Sequence, residues 1–379
     1  MSFTVQIAHS VQEIGPEAWD RLSGNRPFAS FRWYRYGEAA LSDNTPIYII
    51  LSHSGQAIAR ATLWLRREEP IPLTSKLLRS TATALLRRRP LLLCQSPLAN
   101  TSGLILPDPP LREAALTTIG QVALEQARQH KASFLAWVYL EPQEARLAGW
   151  PDAFAAVELP EPGTRLRIAW PDFDHYLDHM GRRMRQQYQR HCRQAAAMDI
   201  VVSADALERP LDEATLEQAL RLIRNVEARH NSLPAPWARR ALEHASMVDG
   251  LWLTARVGER LVGCGVLLAD GEARMMALLG RDYSVDYAYF PLIYTALRCA
   301  IEQGTRVLWG GAGAYEMKLK LGFEMTNDSY AVFAGNGPLL QRLGRWMAGT
   351  EERRAVALRA EPQRTPSAAE NRPSRQVQP

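Results

Sequence analysis

One pattern constrains this chain above all others: the same order of elements is written into it twice. In the second half, Leu251–Val257 and Leu261–Ala269 are β-rich runs joined by Gly258-Glu259-Arg260, and Asp270-Gly271 gives a tight-turn signal before Ala273–Leu279. Phe290–Gln303 then carries apolar residues at helical spacing (Phe290, Ile293, Tyr294, Leu297, Ile301) and stops at Gly304. Pro291 falls in its first turn, where a missing N–H costs nothing. A short strand at Val307–Trp309, a short helix at Tyr315–Leu321 closed by Gly322, and a strand at Tyr330–Phe333 follow. The first half repeats the order: Ile47–Leu51 and Ala57–Leu65 around Ser54-Gly55, a third strand at Gly103–Leu106, a long helix over Leu111–His130, then strands at Phe134–Tyr139 and Phe154–Leu159. Strands alternating with helices in this way predict two mixed α/β units of one kind. Pro160-Glu161-Pro162-Gly163 punctuates the chain between them. The expected division is 1–162, 163–348 and a disordered tail over 349–379, which holds almost no large apolar residue.

With 379 residues, 46% of them hydrophobic, each unit can bury its own core. The four cysteines (Cys94, Cys192, Cys264, Cys299) have no paired spacing, which argues against a disulfide scaffold or a zinc site and fits a reducing cytoplasm. His175 and His179 lie one turn apart without a third ligand, so no metal is expected. The N-terminus lacks the order of a signal peptide, and no run approaches the length of a membrane span. The expected location is cytoplasmic, with room for peripheral contact at the inner membrane face. Net charge is only +5, but it is concentrated in Lys76–Arg89 and Arg182–Arg193. These segments contain one aromatic residue, Tyr188, too few for a nucleic-acid stacking platform, and DNA is not an expected partner. The first segment mixes leucines with arginines from Leu77 to Arg89 and reads as an interfacial helix or as a surface helix packed on its own domain.

Between the halves, one helix is expected from Phe173 to Met198 and a second from about Leu211 to Pro234. Phe173-Asp174-His175-Tyr176-Leu177, the arginine run from Arg182 to Arg193, and Gly313-Ala314-Tyr315-Glu316-Met317-Lys318-Leu319-Lys320-Leu321-Gly322-Phe323 together resemble the entry helix and closing motif of the Fem-like and CelD-like subgroup of GNAT acyltransferases. The resemblance implies two GNAT-like domains in tandem. It also implies an N-acyltransferase moving an acyl group from a thioester, with acyl-CoA as co-substrate and no permanently bound cofactor, to an amine acceptor held between the halves. Alternatives within the same resemblance are aminoacyl transfer from tRNA to a cell-wall precursor and a non-catalytic binding module. The lack of a sustained heptad run disfavours tRNA, and the basic-leucine segment favours a membrane-presented acceptor such as a long-chain amino-lipid. The glycine-rich pyrophosphate loop of ordinary acetyl-CoA enzymes has no counterpart in Gly280-Arg281-Asp282-Tyr283-Ser284-Val285-Asp286-Tyr287.

Acyl transfer to an amine needs a base, donors for an oxyanion and a proton for the leaving group. Glu227 and His230 continue the apolar stripe Leu216, Leu220, Ile223 and either face a cleft or cap the helix end. Tyr315 and Lys318 follow the turn Gly310-Gly311-Ala312-Gly313, and the resemblance matches Lys318 to a lysine that contacts the reacting acyl or carboxylate group. Tyr287 and Tyr289, just before the central helix, are candidate proton donors to a leaving thiolate, and Gly313 and Arg185 are candidate donor-binding residues.

Overall fold

The computed structural model describes residues 2–67, 84, 86–159, 161–230, 232–327, 329–346 and 349. Along the first half run β1 (Thr4–Ala8), α1 (Pro16–Ser23), α2 (Phe31–Ala40), β2 (Thr45–His53), β3 (Gln56–Arg66), β4 (Leu91–Cys94), β5 (Leu104–Ile105), α3 (Arg112–Gln129), β6 (Phe134–Leu140), α4 (Pro142–Ala145) and β7 (Ala155–Glu158). The second half contributes β8 (Thr164–Arg167), α5 (Phe173–Met180), α6 (Arg182–Ala196), β9 (Ile200–Ala206), α7 (Glu213–Arg229), α8 (Ala238–Glu243), β10 (Leu251–Val257), β11 (Arg260–Asp270) and β12 (Ala273–Arg281). It continues with α9 (Tyr289–Glu302), β13 (Val307–Trp309), α10 (Tyr315–Lys320), β14 (Glu324–Met325) and β15 (Tyr330–Gly335). A helix over residues 338–346, α11, follows β15.

Two mixed sheets result. One has the order β1-β2-β3-β4-β6-β15-β7, with β5 paired to β3; the other has the order β9-β10-β11-β12-β13-β8-β14. Among the described residues the two are alike position by position, including a single parallel pair in each, β4 with β6 and β12 with β13. The sixth place is where the chain crosses over. β15 does not close the sheet of its own half but inserts antiparallel between β6 and β7 of the first. β8 takes the matching place between β13 and β14 of the second.

Several expectations are corrected at this level. The third main strand of the first half is Leu91–Cys94; Leu104–Ile105 is only a two-residue strand beside β3. The helix expected from Phe173 to Met198 is two helices, because Gly181 adopts φ 85°, a left-handed conformation that an L side chain resists. Of the segment Leu77–Arg89, residues 77–83 and 85 lie outside the described residues, as do 350–379 of the expected tail.

Each sheet carries a helical layer on both faces. α3 packs on the first sheet through Ala115, Leu116, Ile119 and Ala123, and α9 on the second through Leu292, Ile293, Leu297 and Ile301. On the other faces, α1 and α2 meet α7 and α8, so that Trp33, Tyr36, Leu216, Ile223, Ala241 and Leu242 belong to one continuous apolar core across the halves. Polar groups pin this seam. The Tyr36 hydroxyl donates to Ala241 O at 3.0 Å. Asp270, at the end of β11, accepts from Ala29 N at 2.8 Å, from Ser30 N at 3.3 Å and from the Ser30 hydroxyl, while Ser30 itself caps α2. Burial pushes the Asp270 carboxyl up, and these donors oppose the shift.

Replacing Asp270 by Ala leaves two backbone N–H groups of the α2 start without their acceptor. The expected cost is about 2 kcal/mol, read as a lower urea midpoint at unchanged slope.

Candidate active site

The sheet of the second half opens at one place. β12 and β13 pair in parallel only through Ala273–Val307, Arg274–Leu308 and Met275–Trp309. Beyond Met275, β12 runs on to Arg281, whereas the chain after Trp309 turns away into Gly310–Ala314 and α10. The turn has little freedom. A Cβ on Gly310 would lie 2.8 Å from Thr164 Oγ1 and 2.9 Å from the Phe323 ring. Gly311, Gly313 and Ala314 have φ of 67°, 76° and 47°. Thr164, fully buried on β8, holds the turn twice: its carbonyl accepts from Gly310 N at 2.8 Å and its hydroxyl donates to Gly311 O at 2.7 Å.

Lys318 is aimed back into this turn. The residue is 9% exposed, and its ammonium donates to Gly311 O at 3.1 Å and Ala312 O at 3.0 Å. Among the described residues no carboxylate pairs with it. Burial of the uncompensated cation pulls its pKa down to about 8. Two of three ammonium N–H donors are thus spent on the backbone and the third remains for a ligand. The ammonium is thus seated on the carbonyls of the turn that the sequence placed just before it. Its neighbour Tyr315 donates its hydroxyl to Pro162 O at 2.9 Å, which ties α10 to the segment before β8. Burial raises that phenol.

The opposite side of the opening is built by α7 and the end of β12. Gly280 allows the helix to cross closely, since a Cβ there would sit 2.7 Å from Leu222 Cβ and 2.9 Å from Ile223 N. Asn225 Nδ2 donates to Arg281 O at 3.3 Å. Here Arg281 lies over the Tyr283 ring at 4.9 Å and the Tyr289 ring at 5.9 Å, with its Nε buried and without a hydrogen-bond partner among the described residues. Neither Arg281 nor Thr164 stood out in the sequence, because each looks like an ordinary strand residue. Tyr289 is half-buried at the start of α9, and burial pushes its phenol up to about 12. Tyr287 has φ 62°.

The remaining candidates have other engagements. The Glu227 carboxylate accepts from Arg224 at 2.6 Å and from Ala235 N at 2.9 Å, which clamps the loop after α7. His230 is exposed at the end of that helix. Arg185 pairs with Asp178 and reaches Asp174 O at 3.3 Å. The loop from Gly280 to Tyr287 closes on Asp282, whose carboxylate accepts from Ser284 N at 2.9 Å and from the Arg260 guanidinium. That arrangement presents a carboxylate where a pyrophosphate cradle presents free N–H groups. Beside α10, a cavity of about 170 Å³ between α6, α9 and α10 is lined by Met184, Phe290, Met317 and Leu321 together with Gln187, Tyr294, Glu316 and Lys320.

The profile of the FemAB-like family, described as peptidoglycan biosynthesis/recognition, matches residues 10–368. The chain belongs to the FemAB-like family. Among curated proteins, none matches it. Solved structures agree on the fold. FemX superimposes with a TM-score of 0.58 at 12% identity, covering 90% of this chain and 100% of its own. A tandem GNAT protein from the clavulanic acid biosynthesis pathway gives 0.53 at 13% identity, covering 89% and 99%. The structure of L-PGS from Bacillus licheniformis gives 0.52 at 12% identity, covering 91% and 99%. The two sheets of this FemAB-like chain, with the helices packed on them, are therefore GNAT-like units in tandem. Among the described residues no helix is long and apolar enough to cross a membrane.

The buried ammonium has a thermodynamic signature. The unfolded chain keeps this proton up to about pH 10.5 and the folded chain only to about 8, so the unfolded state holds the extra proton between those values. Stability therefore rises with pH across that window, and the penalty on the charged form is felt fully below it. Urea unfolding at about pH 7 and about pH 10 is expected to show Lys318→Met stabilised relative to the parent at the lower pH, with the gain shrinking at the higher one.

Proposed function

We propose that this chain is a transferase of the GNAT and Fem kind that moves an acyl group from an activated ester, a thioester being the favoured form, to an amine. The observation that carries the reading is Lys318: a cation buried without a carboxylate, beside the gap between β12 and β13, on a turn held by β8. An uncompensated buried cation is costly, and it gains most when negative charge develops beside it, as on the acyl oxygen of a tetrahedral intermediate. The neutral amine attacks the acyl carbon and the charge on oxygen is met by the Lys318 ammonium; the nitrogen gives up a proton to solvent, and collapse of the intermediate breaks the C–S bond as the leaving sulfur takes a proton. Tyr289, at the start of α9 and against Arg281, is the candidate donor of that proton, although burial holds its phenol proton more tightly than usual. The acceptor amine lies between the halves in this reading, and a long-chain amino-lipid is among the acceptors it admits.

The test begins with product formation, followed by mass spectrometry, from acyl-CoA esters of graded chain length and candidate amines. With a substrate pair in hand, Lys318→Met is expected to lower kcat on the order of 100-fold while donor affinity is nearly kept. Lys320→Met is the control: its ammonium is exposed and pairs with Glu316, and removing such a pair changes little, within about threefold. In the parent, kcat falls as pH rises through about 8, because the cation is lost. Normal turnover of folded Lys318→Met rejects this assignment of the site.

A further inference from the structure

The edge of the first sheet from which α11 departs combines an exposed apolar stripe with dense positive charge. The inner face of α11 is fixed. A Cβ on Gly344 would lie 2.6 Å from the Phe333 ring and 3.0 Å from the Phe134 ring, and Gln341 accepts from Gly335 N at 2.6 Å and donates to Ala153 O. With that face seated, the outer one carries Leu339, Leu343 and Trp346 at spacings of four and three, and these are 79%, 45% and 65% exposed. Arg342 and Arg345, both exposed, flank the stripe.

Hydrogen bonds place other elements at the same edge. Asn336 N donates to Ser133 O at 3.0 Å, Ser133 N donates to Pro90 O at 2.7 Å, and the Asn336 side chain reaches Ala132 O and Ala127 O at 2.9 and 3.2 Å. The start of β4, the end of α3 and the start of α11 therefore converge, and with them the exposed Arg88, Arg89, Arg128 and Lys131. Together with Arg342 and Arg345 these make six cations, against a net charge of +5 for the whole chain. Among the described residues none of the six pairs with a carboxylate.

We propose that this edge docks the protein on an anionic lipid surface. Leu and Trp side chains on a rigid helix insert at headgroup depth, and flanking arginines meet lipid phosphates. Charge argues against other covers. A second copy would bring a like-charged edge opposite this one, and residues 350–379 carry six Arg against four Glu, which does not neutralise it. The inference stands apart from the transfer chemistry and from Lys318.

The test is co-sedimentation of the full chain with vesicles of phosphatidylglycerol and phosphatidylcholine, against phosphatidylcholine alone. Binding is expected only to the anionic vesicles, falling with added salt. Leu339→Ser, Leu343→Ser and Trp346→Ser combined should lower partitioning on the order of tenfold or more. Arg342→Gln with Arg345→Gln, both at exposed positions, should lower it independently, with an unchanged unfolding midpoint. Absence of binding by the parent overturns the proposal, as does undiminished binding by both variants. So does a dimer that the serine variant converts to monomer while vesicle binding stays the same, since the stripe would then be a self-interface.

Discussion

A strand edge inside a sheet must be paired, because an unpaired row of N–H and C=O groups away from water costs more than the pairing gains. In this protein that requirement is met across the two halves. β6 and β7 lie one strand-width apart with nothing of their own between them, and β15 fills the gap; β13 and β14 wait in the same way for β8. Completing the first sheet thus depends on backbone from the second half, whereas β8, the first strand of the second half, completes the sheet of its own half. The apolar seam of α1, α2, α7 and α8 then packs two units that are already joined by main-chain hydrogen bonds.

The pairing of β8 also reaches the chemistry. β8 presents Thr164 to the glycine turn, and the hydroxyl and carbonyl of that single residue hold Gly310 and Gly311 in place. The carbonyl of Gly311 in turn accepts from Lys318. The lysine is therefore seated at the end of a short chain of contacts that starts with β8. Burial supplies the shift, and the turn supplies acceptors without supplying countercharge.

Much of this was legible in the residues, for identifiable reasons. Val307–Trp309 and Leu251–Val257 were read with their observed bounds, since a β-rich run between turn residues carries its own boundaries. The GNAT-like order of elements followed from such runs. β4 was missed because Leu91-Leu92-Leu93 shows no alternation and sits beside Pro90. β1 was missed as a largely exposed edge strand and α1 as a short helix packed on β3; α2 was missed because its burial is set by contact with the second half, a long-range matter that periodicity does not report. For the same reason no pattern in Tyr330–Gly335 says which sheet it joins: Ala331, Val332 and Ala334 need a buried face, and either sheet offers one. In the candidate site, Lys318 was legible through its motif. Arg281 and Thr164 were not, because what distinguishes them is an Nε without a hydrogen-bond partner among the described residues and a hydroxyl on a neighbouring turn. Glu227 shows the converse, a carboxylate at a suggestive helical position that clamps a loop.

The place of β15 in the first sheet sets the order in which the molecule can be made. Tyr330 pairs with Leu140 and with Glu158, so two strands near the middle of the chain are synthesised long before the partner that separates them. Until the ribosome has delivered nearly the whole described chain, β6 and β7 present facing open edges, which are templates for pairing with other chains. The first half is thus the earliest to emerge and among the last to finish, and its closure is a contact of high sequence separation, the slow kind. A cell making this protein has to keep a half-built sheet from finding the wrong strand, a demand that a chain of two self-contained units would not place on it.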